Sequence, residues 1–393
     1  MPQPQQSTNQ SQSLRRIKWQ PKWRIKWSKL KPGERVWFAL TTAGILAVSA
    51  AKYIIPGEFS FDATLTVNEF SFDYAGFNER TFLHAFNSSR LAIAGQYSEV
   101  IALQGTFRSS DPAQQEQLAK LGADASLTLS LPKPESQLEI KATEGRSFNF
   151  QSLTLLPQTQ IKSLTYQPLA KPKPASLSFK LRNCQSQANK TCQLRFFPGT
   201  KPIQINGTEV AIAELPDLKT PQLIYTPVSN SEIVLELTSE KRSPIGLELD
   251  IEKSVSDFFS GNLNVTATNF QRQVKRGRNV ADSYRQSTIT KGTARLKDKT
   301  LTLEASQYLS INPSSPGIQR LERLQISQKP PGLQLFVSGR AEKLSAGLNP
   351  KLPTQNIGAK WLDSLPSEVM TGLIGTLAGI WGTLFGRLFE EED

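Results

Sequence analysis

The feature that most constrains this chain is an apolar/polar alternation of period two, recurring between residues 59 and 339. It is plainest in FSFDATLTVNEFSF (59–72), SLTLSL (126–131), SLSFKL (176–181), EIVLELT (232–238), GLELDIE (246–252), NLNVTATNF (262–270), KTLTLEA (299–305) and GLQLFVSG (332–339). Successive side chains of a strand point to opposite faces, so each run can bury one face and leave the other in water. Weaker runs at 98–107, 138–143, 147–156, 161–166 and 208–213 continue the pattern. Helical signals are scarce. SDPAQQEQLAKLG (110–122) predicts one short helix, with Ser110 or Asp111 as cap, Pro112 in the first turn and Gly122 at the stop. A second is expected around Glu79 to Phe86. About a dozen strands with so few crossover helices predict a mostly β fold of antiparallel sheets, as a sandwich, a jelly roll or a long open sheet. Proline-bearing joints, among them Lys171-Pro172-Lys173-Pro174, divide this region into an expected 57–170 and 171–350.

Charge separates the first residues from the rest. The 393-residue chain carries a formal +12, and residues 1–35 hold nine cations against Glu34 alone. A nucleic-acid binder would carry its excess on the folded part. Here it stands directly before the apolar segment VWFALTTAGILAVSAAKYII (36–55), which at 1.5 Å per residue is long enough for a bilayer core of roughly 30 Å. The positive-inside rule then places the N-terminus in the cytoplasm and the bulk of the chain across the membrane. A cleaved signal, offered by Val48-Ser49-Ala50, and a buried core helix are the competing readings.

Within the tail, RIKW, QPKW and RIKW (16–27) set Lys18, Lys22 and Lys26 beside Trp19, Trp23 and Trp27. Tryptophan favours the headgroup layer and lysine an anionic leaflet, which predicts a lipid-interface segment. Basic residues with interleaved aromatics also suit nucleic acid, and the same residues serve as a plain topology signal. Residues 1–14, rich in Gln, Ser and Pro, lack the apolar content to pack and are expected to be disordered. At the other end, VMTGLIGTLAGIWGTLFG (369–386) is uncharged, and Gly372, Gly375, Gly379, Gly382 and Gly386 alternate spacings of three and four. On a helix (366–389) they line one face where another helix can approach. A second span, an interfacial helix and a helix packed on the β region all fit, with pairing to another membrane protein or a second copy.

Cys184 and Cys192 flank a seven-residue stretch between two strand-like runs. Opposed positions of a hairpin lie within disulfide reach, so a hairpin disulfide is expected, against two free thiols or a metal site that would need further ligands. A disulfide agrees with an extracytoplasmic compartment. The chain's one histidine, His84, excludes mechanisms needing two, and HExxH, GxSxG, GxGxxG, phosphate-loop and CxxC motifs are missing from the sequence. No catalytic, cofactor-binding or metal residue is nominated. Carboxylates alternate along one strand at Glu248, Asp250 and Glu252, where a solvated face is expected, and Gln271 to Lys299 reads as a basic loop.

A basic tail, a first apolar segment and many LxLxL strands, with phrasing such as GNLNVTATNF and GLQLFVSGRAEKL, resemble bacterial envelope proteins of the AsmA type. That resemblance implies lipid handling between membranes, and it transfers no residue. The expected function is a non-enzymatic, membrane-anchored, extracytoplasmic binding or scaffold protein, with lipid binding or transfer as the alternative and hydrolysis third. The expected partners are anionic membrane lipids and a membrane protein, not nucleic acid.

Overall fold

The computed structural model describes residues 58–358, apart from 96, 123, 144–145, 171–173, 185–189, 229–231, 240–242, 253–256 and 276–282. In the flanking segments it describes residues 33, 36, 39, 40, 42–44, 375, 376 and 379. The chain divides into two compact units, Pro56–Trp361 and the flanking Met1–Ile55 with Leu362–Asp393. The fold is mostly β and antiparallel, as the alternation predicts.

The strands are β1 (Phe59–Val67), β2 (Glu69–Tyr74), β3 (Arg80–Leu83), β4 (Phe86–Ala94), β5 (Tyr97–Arg108), β6 (Ala125–Leu131), β7 (Gln137–Ala142), β8 (Phe148–Leu155) and β9 (Gln160–Gln167), with helix α1 (Pro112–Ala119) between β5 and β6. There follow β10 (Ala175–Arg182), β11 (Cys192–Phe197), β12 (Ile203–Thr208), β13 (Ala211–Ile212), β14 (Gln222–Pro227), β15 (Ile233–Leu237), β16 (Ile245–Ile251) and β17 (Asp257–Asn269). The last are β18 (Gln271–Lys275), β19 (Ser283–Ser287), β20 (Ile289–Leu296), β21 (Lys299–Leu303), β22 (Tyr308–Ile311), β23 (Gly317–Gln328), β24 (Pro331–Ala341), β25 (Lys343–Gly347) and β26 (Gln355–Gly358).

Twenty-one of these strands join into one sheet network. One arm runs β21–β20–β1–β24–β23–β17. The far half of the long β17 then pairs with β2, and the ladder continues β2–β9–β10–β16–β4–β7–β12–β14–β5–β6–β13. At β4 the network branches: Arg90–Ala94 pair with β7, whereas Phe86–Ser88 pair with β8, which carries β3 and the β11–β15 pair. Period-two burial is clear on β16, where Ile245, Leu247, Leu249 and Ile251 are buried, and on β10, where Leu177, Phe179 and Leu181 are. At the branch the core is aromatic. Phe86 stacks on Phe150 at 4.6 Å and meets Phe258 edge-on, while Phe72, Phe82 and Phe259 continue the series toward β17.

Helix α1 forms where expected. Asp111 accepts from the Ala113 N–H at 2.9 Å, and Gly122 takes φ +85. The second expected helix does not form: Arg80–Leu83 is strand β3, paired with β8. Thr81 and Phe82 are weak helix formers, and both Phe82 and Leu83 are buried by the sheet, so tertiary pairing decides. In the basic stretch 271–299, expected as a loop, most of the described residues form β18, β19 and β20. The Lys171–Pro174 joint connects neighbouring strands β9 and β10 rather than separate folds.

The apolar segments 36–55 and 369–386 lie mainly outside the described residues, as do Lys18, Trp19, Lys22, Trp23, Lys26, Trp27, Gly372, Gly382 and Gly386. Gly375 and Gly379 are helical, and a Cβ added at either would meet no atom within 4 Å. Among the described residues no helix is long and apolar enough to cross a membrane.

Candidate functional site

Cys184 and Cys192 form a disulfide with a Cα separation of 5.3 Å, both fully buried. Among the described residues the expected hairpin around it is not formed. Strand β10 pairs with β9 and β16, whereas β11 pairs with β8 and β15, so the bond ties two branches of the network together. The Cys184 N–H donates to the Ser239 carbonyl at 2.9 Å, just beyond β15, and Thr159 Oγ1 lies 3.4 Å from Cys192 Sγ. Its setting is structural. His84 is exposed, stacks on Phe259 and places Nε2 3.3 Å from the Ser260 carbonyl.

The most organised polar group lies instead on the outward face of β16, β4 and β7. It begins with a bulge. The register of β4 against β16 shifts between Asp250 and Ile251, so Ser88 turns inward and Arg90 outward. Ser88 Oγ stabilises the kink by donating to the Asp250 carbonyl at 2.8 Å. Bulges re-aim side chains in this way.

Arg90 then stands directly across from Asp250. Glu248 and Glu139 flank Ala92 in the adjoining row and so lie diagonally to it. Its Nε donates to Glu139 Oε1, and its Nη1 lies 3.2 Å from Glu248 Oε1 and 3.6 Å from Asp250 Oδ1. Asn206 on β12 donates to the other Glu139 oxygen at 3.4 Å.

The carboxylates differ electrostatically. Burial pushes Asp250 above its usual range; Arg90 opposes this, and the charges of Glu248 and Glu139 add to it. Burial also acts to raise Glu139, but hydrogen bonds from Arg90 and Asn206, with the charge of Arg90, outweigh it and hold the group below the usual range. Burial acts to lower Arg90, yet the hydrogen bond and charges of its three partners leave it raised, so it stays a cation.

Around this cluster the sheet is open. Small side chains at Ala92 and Ala94 floor a depression of about 650 Å³ bordered by Gln137, Gln204, Asn206 and Thr208. A second depression of about 290 Å³ shares Ala92, Ala94 and Glu248 and reaches Ser178 and Lys180 on β10. Together they make a shallow trough across neighbouring strands, polar toward β7 and β12 and more apolar toward β10. Within it the Arg90 guanidinium is engaged by the carboxylates of Glu139, Glu248 and Asp250. Among the described residues no group of three or more His, Cys, Asp or Glu is placed to hold a metal.

Sequence reasoning reached Glu248 and Asp250 as a solvated strand face and missed Arg90 and Glu139. The available signal was a lone arginine in an apolar run, Ser89-Arg90-Leu91-Ala92-Ile93. Set against known proteins, the chain matches no family model, no curated protein and no solved structure.

Proposed function

We propose that this is a membrane-anchored, extracytoplasmic, non-enzymatic protein that works by binding a partner protein on the outward face of its sheet. The observation that carries the reading is the contrast between a filled interior and an open, charge-lined trough. Leu91, Leu177, Leu249, Phe150 and Phe258 are all fully buried, so the described core is packed with its own side chains. A lipid carrier needs an apolar space between its sheets. The trough offers amides, hydroxyls and carboxylates, which suit a polar polypeptide segment. Residues 36–55 after a basic tail support the anchor, with the Gly-faced segment 369–386 as a second membrane element. The buried disulfide supports an oxidising compartment.

Ala94 is exposed on the trough floor and takes no part in the Arg90 cluster. Ala94→Trp fills the trough without disturbing the ion pairs. Copurification of the full chain from gently solubilised membranes should give a protein partner that Ala94→Trp loses. Stoichiometric phospholipid as the sole companion, or a partner held equally by the variant, would refute the reading.

A further inference from the structure

The first strand and the last described strand of the β unit meet at one place. Phe59, opening β1, pairs with Ala341, and Gly358, closing β26, pairs with Lys343 two residues further along the same chain. The β20–β21 turn clamps both ends. Lys297 Nζ lies 5.7 Å from the centre of the Phe59 ring, and Lys299 Nζ donates to the Gly358 carbonyl at 2.8 Å. The chain therefore enters and leaves the β unit side by side.

The charge at this corner has one sign in excess. Lys297, Lys299, Arg340 and Lys343 are exposed, against the exposed Glu58 and Asp298. Glu342, half-buried and accepting from Asn312 Nδ2 at 2.8 Å, still adds a negative charge, and Arg295 is balanced by Asp62 opposite it, so the corner keeps an excess of one cation. From Ile55, the last residue of the first apolar segment, to Glu58 is a reach of about 10 Å at full extension, comparable with the Debye length at about 0.1 M salt.

We infer that this corner, built from the β20–β21 turn and the β24–β25 junction, faces the membrane and binds anionic lipid headgroups through Lys297, Lys299, Arg340 and Lys343. The inference rests on the anchored reading above. With so short a connection, the cations nearest Phe59 stand within reach of lipid phosphates, and their excess matches an anionic leaflet. The distal edge of the sheet, β13, is then turned away from the bilayer.

The test uses the full chain in vesicles of phosphatidylcholine with about 30 mol % phosphatidylglycerol. Thr300→Cys on β21 and Ala211→Cys on β13 are both exposed positions, and the native cysteines are bonded and buried. Each introduced thiol carries a fluorophore, read against a lipid with a nitroxide on its headgroup. Quenching at residue 300 should exceed that at residue 211 by about threefold or more. Adding Lys297→Gln, Lys299→Gln and Lys343→Gln should reduce it in the anionic vesicles and leave it unchanged in phosphatidylcholine alone. Equal quenching at the two positions in a chain that resists alkaline carbonate extraction would overturn this surface while sparing the anchor. Release of the chain by carbonate would remove the anchor, and the surface with it.

Discussion

Arg90 is the residue on which most of the outward face depends, and its partners give it a testable pH signature. Replacing it with methionine keeps the aliphatic stem but removes the guanidinium that pairs with Glu139, Glu248 and Asp250, while Lys141, opposite position 90 on β7, still acts on Glu139. Breaking a partly buried ion pair from one side costs about 2–4 kcal/mol at the upper end of solvent screening. Arg90→Met should therefore lower stability by that order at pH 7 in denaturant titrations, and by less near pH 4, where the carboxylates take up protons. Asp250 behaves in the opposite sense. Its folded pKa lies above the unfolded value of about 3.9, so its contribution is present below that pH and is lost as pH rises through the folded pKa. The ionised group is thus a net cost at neutrality. Asp250→Asn should be at least as stable as the parent at pH 7, with the difference shrinking toward pH 4. A loss of about 2 kcal/mol or more at pH 7 would show that the negative charge is needed there. Glu139 follows the usual acid rule: its lowered pKa stabilises above about pH 4.3 and that contribution fades as pH falls through the folded value.

At the scale of the element, the disulfide shows which parts of this fold are legible in the sequence. Two cysteines between strand-like runs are enough to expect a bond, because local spacing decides whether the sulfurs can meet. The partners of β10 and β11 are not local. Leu181 pairs with Ile161 and Ile245, and Cys192 pairs with Leu237, so nothing in SLSFKLRNC or CQLRFF reveals that the strands part company. Helix α1 was readable because its cap, proline and terminal glycine act within a dozen residues. Strand β4 escaped because Asn87-Ser88-Ser89-Arg90 breaks the alternation, and the break is the bulge that creates the Arg90 cluster. Glu139 and Glu248 come to Arg90 from 49 and 158 residues away, which no local pattern encodes. Since the bond closes a short loop between branches, the chain-entropy model assigns it about 2–3 kcal/mol. Cys184→Ala with Cys192→Ala should lower stability by that amount in chemical denaturation while the far-UV spectrum stays β-like. No change on either reduction or substitution would mean the branches are held in register without it.

For the β unit as a whole, the decisive property is that its first strand has only late partners. Phe59–Val67 pairs with β20 and β24, more than 220 residues downstream, and the far half of β17 supplies one neighbour of β2. Strands β4, β5, β7, β8 and β9 each find at least one neighbour before residue 170 and a further one only after it, in β16, β14, β12, β11 and β10. A fragment ending at residue 170 would therefore expose unpaired edges along almost every strand and leave one whole apolar face of β1 uncovered. Such edges template association rather than folding. Loop-closure entropy must also be met before these long-range pairs form, so folding should be slow for the unit's size. The expected outcome is that residues 58–170 alone give no cooperative thermal transition and aggregate, whereas residues 56–361 give one calorimetric transition. If 58–170 unfolded cooperatively with native-like hydrogen-exchange protection in β4 and β7, the unit would be two domains joined at the Lys171–Pro174 connection. The interleaved ladders argue against that, because β10 lies between β9 and β16 and has no surface of its own on which to fold.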